Sequence, residues 1–211
     1  MASSFNGTSS YIEATSTPVT GPPFTMASWV YCTNNTLGQV VISVGNSATT
    51  NRFQLSMQGD VASDPVGFQI VGATSESTQY IPPVPYINRW VHVAGVVSGV
   101  SSKALFVDGI FRNSVTTSAA PAGVNNILIG ARWSTTRGSF LAGRIAETAI
   151  WNRALNGDQI FSLYQGFSPY LVCPSGLVFL NRSIRDNRDI AGGRTLVSNV
   201  ITPIDHPRIY G

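Results

Sequence analysis

The sequence contains little charge. Charged residues make up 11% of the 211 residues, against about 25% in an average globular protein. Lys103 is the one lysine among 13 basic residues, and the net charge is only +3. The densest group of arginines, in residues 182–194, is interleaved with Asp186 and Asp189. Because nucleic-acid binding needs a continuous basic stripe, we expect no nucleic-acid partner.

Long apolar runs and cysteines are also scarce. No run of 18 apolar residues is present, and residues 1–5 lack the charged and apolar regions of a signal peptide. We therefore expect synthesis in the cytoplasm and no membrane insertion. Cys32 and Cys173 are too few for a disulfide framework or a metal cluster. Cys32 ends an apolar stretch, which favours a small buried side chain over the alternative, a crosslink to Cys173.

Residues suited to catalysis are few. The chain has three glutamates, Glu13, Glu76 and Glu147. None has a neighbouring carboxylate at the spacing of a paired glycosidase site, so we expect no enzyme and no catalytic residue. His92 falls in an alternating apolar stretch and favours a place in or beside the core, and His206 stands beside a proline. The favoured interpretation of Glu147 is a structural hydrogen-bond acceptor.

Short alternating segments separated by turn residues dominate the chain. The expected strands are 11–14, 24–32, 39–44, 53–57, 66–71, 90–97, 104–107, 110–115, 127–129 and 140–151. Asp108–Gly109 is the clearest hairpin turn, because both residues tolerate positive φ. Residues 72–80, rich in Ser and Thr, are expected to form a loop. This pattern predicts an all-β fold, a two-sheet antiparallel jelly-roll sandwich.

One short helix is expected near 156–166. Asn156 and Gln159 have the spacing of a capping box, and apolar residues then follow at helical spacing. The segment 143–164, GRIAETAIWNRALNGDQIFSLY, therefore joins a strand to a capped helix.

Four segments in order resemble one family. They are 4–12 (SFNGTSSYI), 24–30 (FTMASWV), 89–94 (RWVHVA) with 105–109 (LFVDG), and 143–164. They resemble the strands of laminin G-like domains of the concanavalin A-like lectin/glucanase superfamily. The resemblance implies a concanavalin A-like sandwich over residues 1–167.

Residues 168–211 need a separate interpretation. Segments 174–180 and 188–196 resemble the lead-in that normally precedes the first strand of this family, here at the opposite end. A sheet edge without its strand invites association. We expect this carboxy-terminal segment to add a strand to the sandwich, either by folding back on its own domain, which tethering favours, or by pairing with a neighbouring subunit.

The expected function is structural. Residues 203–211 resemble the endings of laminin G-like proteins of tailed bacteriophages, which implies a non-catalytic virion protein that decorates or cements a capsid. Its expected partners are a major capsid protein or other virion subunits, with a homo-oligomer as a further interpretation. The alternative is a carbohydrate-binding module on a tail or fibre, with a glycan as partner.

Three residues are the candidates for partner or ligand binding. Arg132, Trp133 and Arg137 share a loop in which a Trp face could stack on a sugar or anchor an interface. We favour the interface. No cofactor is expected. Calcium is the alternative at Asp60 with Asp64 or at Asp186 with Asp189, although two carboxylates per loop also suit ordinary turns.

Overall fold

The computed structural model describes residues 2–116, 121–183 and 188–204. Two sequence predictions fall partly outside these ranges. Asp186, one of the aspartates considered for calcium, lies between 183 and 188. Most of the 203–211 tail, including His206, follows residue 204.

Within these ranges the chain forms seventeen strands and two helices. The strands are β1 Ala2–Asn6, β2 Tyr11–Ala14, β3 Phe24–Cys32, β4 Gly38–Gly45, β5 Arg52–Gln58, β6 Val66–Val71, β7 Ser75–Tyr80, β8 Trp90–Gly99, β9 Ser102–Val107, β10 Ile110–Thr116, β11 Asn126–Ile129, β12 Arg132–Ser134, β13 Thr136–Gly138, β14 Ala142–Trp151, β15 Leu177–Asn181, β16 Val197–Asn199 and β17 Thr202–Ile204. The helices are α1 Gly157–Tyr164 and α2 Pro169–Val172.

The strands form two large antiparallel sheets. The eight-stranded sheet has the order β10-β9-β8-β3-β14-β1-β17, and β15 also pairs with β14. The seven-stranded sheet has the order β16-β2-β11-β4-β5-β6-β7. A separate hairpin consists of β12 and β13. The all-β, two-sheet sandwich expected from the sequence is therefore confirmed.

The core lies between the two sheets. On β5, Phe53, Leu55 and Met57 are buried in the core cluster and alternate with polar residues, as a pleated strand requires. Phe24, on the eight-stranded sheet, meets Phe53 edge-to-face with ring centroids 4.8 Å apart. Aromatic contacts of this kind lock the inner faces of the sheets together.

Helix α1 covers part of the outer face of the eight-stranded sheet. The predicted capping box is confirmed, since Asn156 accepts from the amide of Gln159 while the Gln159 side chain accepts from the amide of Asn156. Ile160 and Leu163 are buried in a cluster with Trp151. The one-turn helix α2 follows. No helix in the described ranges has the length and apolar character needed to cross a bilayer.

The carboxy-terminal segment adds strands to both sheets. β15 pairs with the second half of β14, β16 pairs with β2, and β17 pairs with β1. The first half of β14 pairs with β1, so β1 and β15 lie end to end along one strand. The expectation that this segment adds a strand is confirmed, whereas the domain division at 167/168 stays a prediction.

Local predictions had mixed outcomes. Asp108 and Gly109 have φ of 52° and 74° and join β9 to β10, as expected. Cys32 and Cys173 are buried free thiols.

The expectation of a loop over residues 72–80 is wrong, because β7 occupies Ser75–Tyr80. β7 is an edge strand, so its backbone pairs with β6 while its Ser- and Thr-rich side chains need no apolar pattern.

Candidate functional site

The outer face of the seven-stranded sheet is polar along β5. Arg52, Gln54, Ser56 and Gln58 point to this face because they alternate with the core residues, yet each is at least nine-tenths buried. Buried polar side chains are stable only when they find hydrogen-bond partners. The polar side chains of β5 therefore need partners among one another or on a covering element.

The β12–β13 hairpin supplies part of the cover. It contacts β4 and β11, and the segment just after it is fixed by a 2.9 Å bond from the amide of Val40 to the carbonyl of Ser139. Leu128 of β11 pairs with Glu13 of β2. Its side chain is completely buried but does not belong to the core between the sheets, as expected for a residue of the outer face that is covered. The hairpin leaves the β5–β6 side of the face open.

A groove of about 210 Å³ remains beside the hairpin. Its lining residues are Gly38, Gln39, Val40, Arg52, Gln54, Ser56, Gln58, Asp60, Val61, Gln69, Arg132 and Ser139. An adjoining depression of about 260 Å³ shares Arg52 and Gln69 and extends the groove to residues 75–77 on β7. We call the first of these the polar groove.

A directed chain of hydrogen bonds crosses the floor of the polar groove. Arg52 Nε donates to Gln54 Oε1 at 2.5 Å, and Gln54 Nε2 donates to Gln69 Oε1 at 2.5 Å. Arg52 Nη1 also donates to the carbonyl of Thr50 at 2.7 Å. Because an arginine can only donate, it fixes the orientation of the Gln54 amide and, through it, that of Gln69.

Two arginines give the polar groove its electrostatic character. Burial, together with the positive charge of Arg132, lowers the pKa of Arg52 to about 10. Burial also lowers the pKa of Arg132. In the ranges that the structure describes, neither guanidinium forms an ion pair. Asp60 is the one carboxylate among the lining residues.

The three predicted binding residues separate into two places. Arg132 lines the polar groove, where its Nε donates to Ser139 Oγ at 3.1 Å. Trp133 and Arg137 both bind Glu13 instead: Trp133 Nε1 donates to Oε1 at 2.8 Å and Arg137 Nη2 donates to Oε2 at 2.6 Å. The Arg137 guanidinium also lies 4.5 Å from the Tyr11 ring centroid and 4.3 Å from that of Trp133. One face of the indole is therefore already stacked.

A second cluster lies on the other sheet, under the helices. Glu147 occupies a bulge of β14 with φ of 49°, and its Oε2 is buried without a hydrogen-bond partner. His92 Nδ1 is also buried and unpaired, and both residues line a cavity of about 10 Å³. Burial raises the pKa of Glu147 to about 7 and lowers that of His92 to about 3. The cavity has room for no more than about one water molecule.

The aspartates considered for calcium do not form a metal site within the described ranges. Asp64 accepts from Asn35 Nδ2 at 3.2 Å, and Asp60 lies at the polar groove. In this part of the chain, no three side chains among His, Cys, Asp and Glu converge as metal ligands. Calcium usually takes six to eight oxygens, and these loops offer two carboxylates at most.

A family profile described as "Concanavalin A-like lectin/glucanases superfamily", Laminin G 3, matches residues 6–161. The chain belongs to this superfamily. The match covers the sandwich from β2 into α1 and lies within residues 4–164, over which the ordered motifs were found. A search of curated protein sequences gave no match.

Several solved structures share the fold. A heptameric SAP-like pentraxin from Limulus polyphemus is 17% identical with a TM-score of 0.67, over 95% of this chain and 93% of that one. The CBM40 of a Ruminococcus gnavus sialidase, bound to α2,3 sialyllactose, is 15% identical with a TM-score of 0.63, over 78% and 98%. Domain 4 of the arabinanase AbnA from Geobacillus stearothermophilus, in complex with arabinotriose, is 19% identical with a TM-score of 0.63, over 78% and 76%.

Sequence reasoning missed most of the polar groove. It singled out Arg132 but neither Gln54 nor Gln69. The signal was present, because residues 52–58 (RFQLSMQ) alternate strictly between polar and apolar side chains. A single strand cannot indicate, however, whether its polar face is solvated or lies in a groove.

Proposed function

We propose that this protein is a non-catalytic carbohydrate-binding module whose ligand lies in the polar groove. The polar groove itself carries the proposal. It brings the buried Gln54 and Ser56 and the half-buried Gln69 and Arg132 to one concave surface, which carries amide, hydroxyl and guanidinium groups. Small-molecule sites use a few such fixed polar groups to orient their ligands, and a saccharide offers hydroxyl groups to match them.

The comparisons support this reading by analogy of fold. Two of the similar structures contain bound oligosaccharides, α2,3 sialyllactose and arabinotriose. Sialyllactose carries a carboxylate and arabinotriose is neutral, so the two complexes do not determine the charge of a ligand for this chain. At this level of identity the proteins share a fold, and the ligand of each depends on the residues of its own site.

The absence of catalysis is part of the proposal. Glycoside hydrolysis generally uses two carboxyl groups about 5–9.5 Å apart. Asp60 follows one end of β5, and Glu76 lies in the adjoining depression near its other end. A seven-residue strand is roughly 20 Å long, so these two carboxylates are poorly placed to act together. Glu13 is engaged by Trp133 and Arg137.

Glycan-array binding with the wild-type chain and a Gln69→Ala variant tests the proposal. We expect the wild-type protein to bind a defined set of glycans and the variant to bind the best of them at least fivefold more weakly in calorimetry. Gln165→Ala, an exposed glutamine near α1, is the matched control and should bind normally. Glycan binding that is unaffected by Gln69→Ala would place the site elsewhere, and no binding to any glycan would remove the proposal.

Capsid decoration stays a prediction. It rests on the resemblance of residues 203–211 to phage proteins, and most of those residues follow the described part of the chain. Binding to assembled capsids without affinity for any glycan would favour that role over carbohydrate binding.

A further inference from the structure

We infer that the polar groove takes an acidic saccharide, one that carries a carboxylate or a sulfate ester, held by Arg132 and by the free side of Arg52. This inference rests on the proposed carbohydrate-binding function. It adds the chemical class of the ligand, which follows from the direction of the hydrogen bonds and from the unpaired charges in the polar groove.

The hydrogen-bond chain makes the floor of the polar groove a donor surface. Arg52 has no acceptor atom, so Gln54 must turn its oxygen to Arg52 and its nitrogen to Gln69. The oxygen of Gln69 is thereby used, and its amide nitrogen remains to donate. A glutamine outside such a chain could rotate and present either group, but these two are fixed in one orientation.

The terminal guanidinium nitrogens add further donors. Arg132 uses Nε to bind Ser139 Oγ, which leaves both terminal nitrogens and the planar fork that matches a carboxylate or a sulfate. Arg52 uses Nε and Nη1, which leaves Nη2. A ligand that fits this surface must be rich in acceptors, as anionic groups are.

The charges in the polar groove lack the partners that arginines have elsewhere. Arg137 and Arg194, which are also partly buried, each bind a carboxylate, at 2.6 and 2.8 Å. Arg52 and Arg132 lie close enough for one charge to lower the pKa of the other. Asp60 lines the same groove, yet it forms no ion pair with either arginine in the described ranges. Two neighbouring cations at a concave surface favour an anionic ligand.

The test uses an array on which each acidic glycan stands beside its neutral counterpart. Suitable pairs are oligogalacturonates with their methyl esters, and keratan sulfate oligosaccharides, whose backbone contains no uronic acid, with their desulfated forms. We expect binding to be concentrated among the acidic members. The carboxylate and sulfate arms then show which anionic group fits the polar groove.

Variants of the full chain locate the binding. For the best acidic glycan, Arg132→Gln should weaken affinity at least tenfold, since charge-assisted bidentate bonds are lost. Arg132→Lys should recover part of the loss, because it restores the charge without the fork. Arg144→Gln removes an equal charge from a residue that stacks on Tyr31, in the other sheet, and should leave affinity within twofold.

A second substitution guards against a folding defect at Arg132. Gln69→Glu places a carboxylate beside the donors and should also abolish binding of the acidic glycan, with a thermal unfolding midpoint close to that of the wild type. Equal binding to the neutral partners would overturn the inference and leave carbohydrate binding intact. Acidic binding that survives both Arg132→Gln and Gln69→Glu would also overturn it. Failure to bind any glycan would remove the proposed function itself.

Discussion

The indole N–H of Trp133 donates a 2.8 Å hydrogen bond to Oε1 of Glu13, 120 residues earlier in the chain. Glu13 lies on β2 and is 5% exposed, so the bond ties the β12–β13 hairpin to the outer face of the seven-stranded sheet. Through this contact, Trp133 holds the hairpin on the sheet. The same hairpin carries Arg132 at the wall of the polar groove.

Trp133→Phe should lower the free energy of unfolding by about 1–2 kcal/mol, because the ring stays in place and one hydrogen bond to a charged group is lost. Urea unfolding measures the change. In a double-mutant cycle with Glu13→Leu, the two effects should couple by about 1 kcal/mol. Glycan affinity should change less than twofold, because Trp133 does not line the polar groove. A stable Trp133→Phe protein that has lost glycan binding would contradict this assignment.

Glu147 should make the protein less stable as the pH rises. Its pKa is raised by burial to about 7 in the folded state, against an ordinary value of 4.5. Between these values the unfolded chain releases the proton that the folded chain retains. The free energy of unfolding should therefore fall between pH 4.5 and 7, by about 3 kcal/mol in total. The difference between wild type and Glu147→Gln isolates this contribution, and a difference that does not vary with pH over this window would refute it.

His92 should make the protein less stable as the pH falls. Its imidazole is fully buried, and burial lowers its pKa to about 3 from 6.5. As the pH falls through this window, the unfolded chain binds a proton that the folded chain excludes. Stability should therefore be lost between pH 6.5 and 3. His92→Asn should remove this slope, as measured by thermal unfolding at a series of pH values. The expectation fails if the variant and the wild type keep parallel profiles.

Removal of the last two described strands should expose two sheet edges. β17 pairs with β1 and β16 pairs with β2, and Ser10 Oγ donates to the carbonyl of Val200 at 2.7 Å. A chain that ends at residue 196 should melt at a lower temperature and self-associate, since unpaired edges recruit other strands. Light scattering after size-exclusion chromatography detects the association. A chain that ends at residue 204 is the control and should behave like the full chain. Two equally monomeric truncations would contradict the prediction.

The sequence was sufficient for the fold because strand alternation and turn chemistry are local. Residues 52–58 alternate without exception, and Asp108–Gly109 fits one turn type, so each predicts its own geometry. β7 has no such local pattern. It is an edge strand, and the backbone pairing with β6 that stabilises it is not visible in its side chains.

The site could be predicted only in part because it depends on register between distant strands. Arg132 and Trp133 are neighbours in sequence, but adjacent residues of a strand point to opposite sides. One therefore lines the polar groove with Gln54 and Gln69, while the other binds Glu13. To predict this separation, one must know where the hairpin lies on the sheet, and no local sequence pattern specifies that position.

The end-to-end arrangement of β1 and β15 along β14 bears on how the molecule folds. β14 needs partners drawn from the opening residues, from β3 and from beyond α2, so its pairings are far apart in sequence. Such high contact order slows folding, because long loops must close before any of these contacts forms. During synthesis β1 and β2 stay unpaired until their partner strands later in the chain have been made. The nascent chain is therefore most prone to aggregation on the ribosome, before the terminal strands emerge.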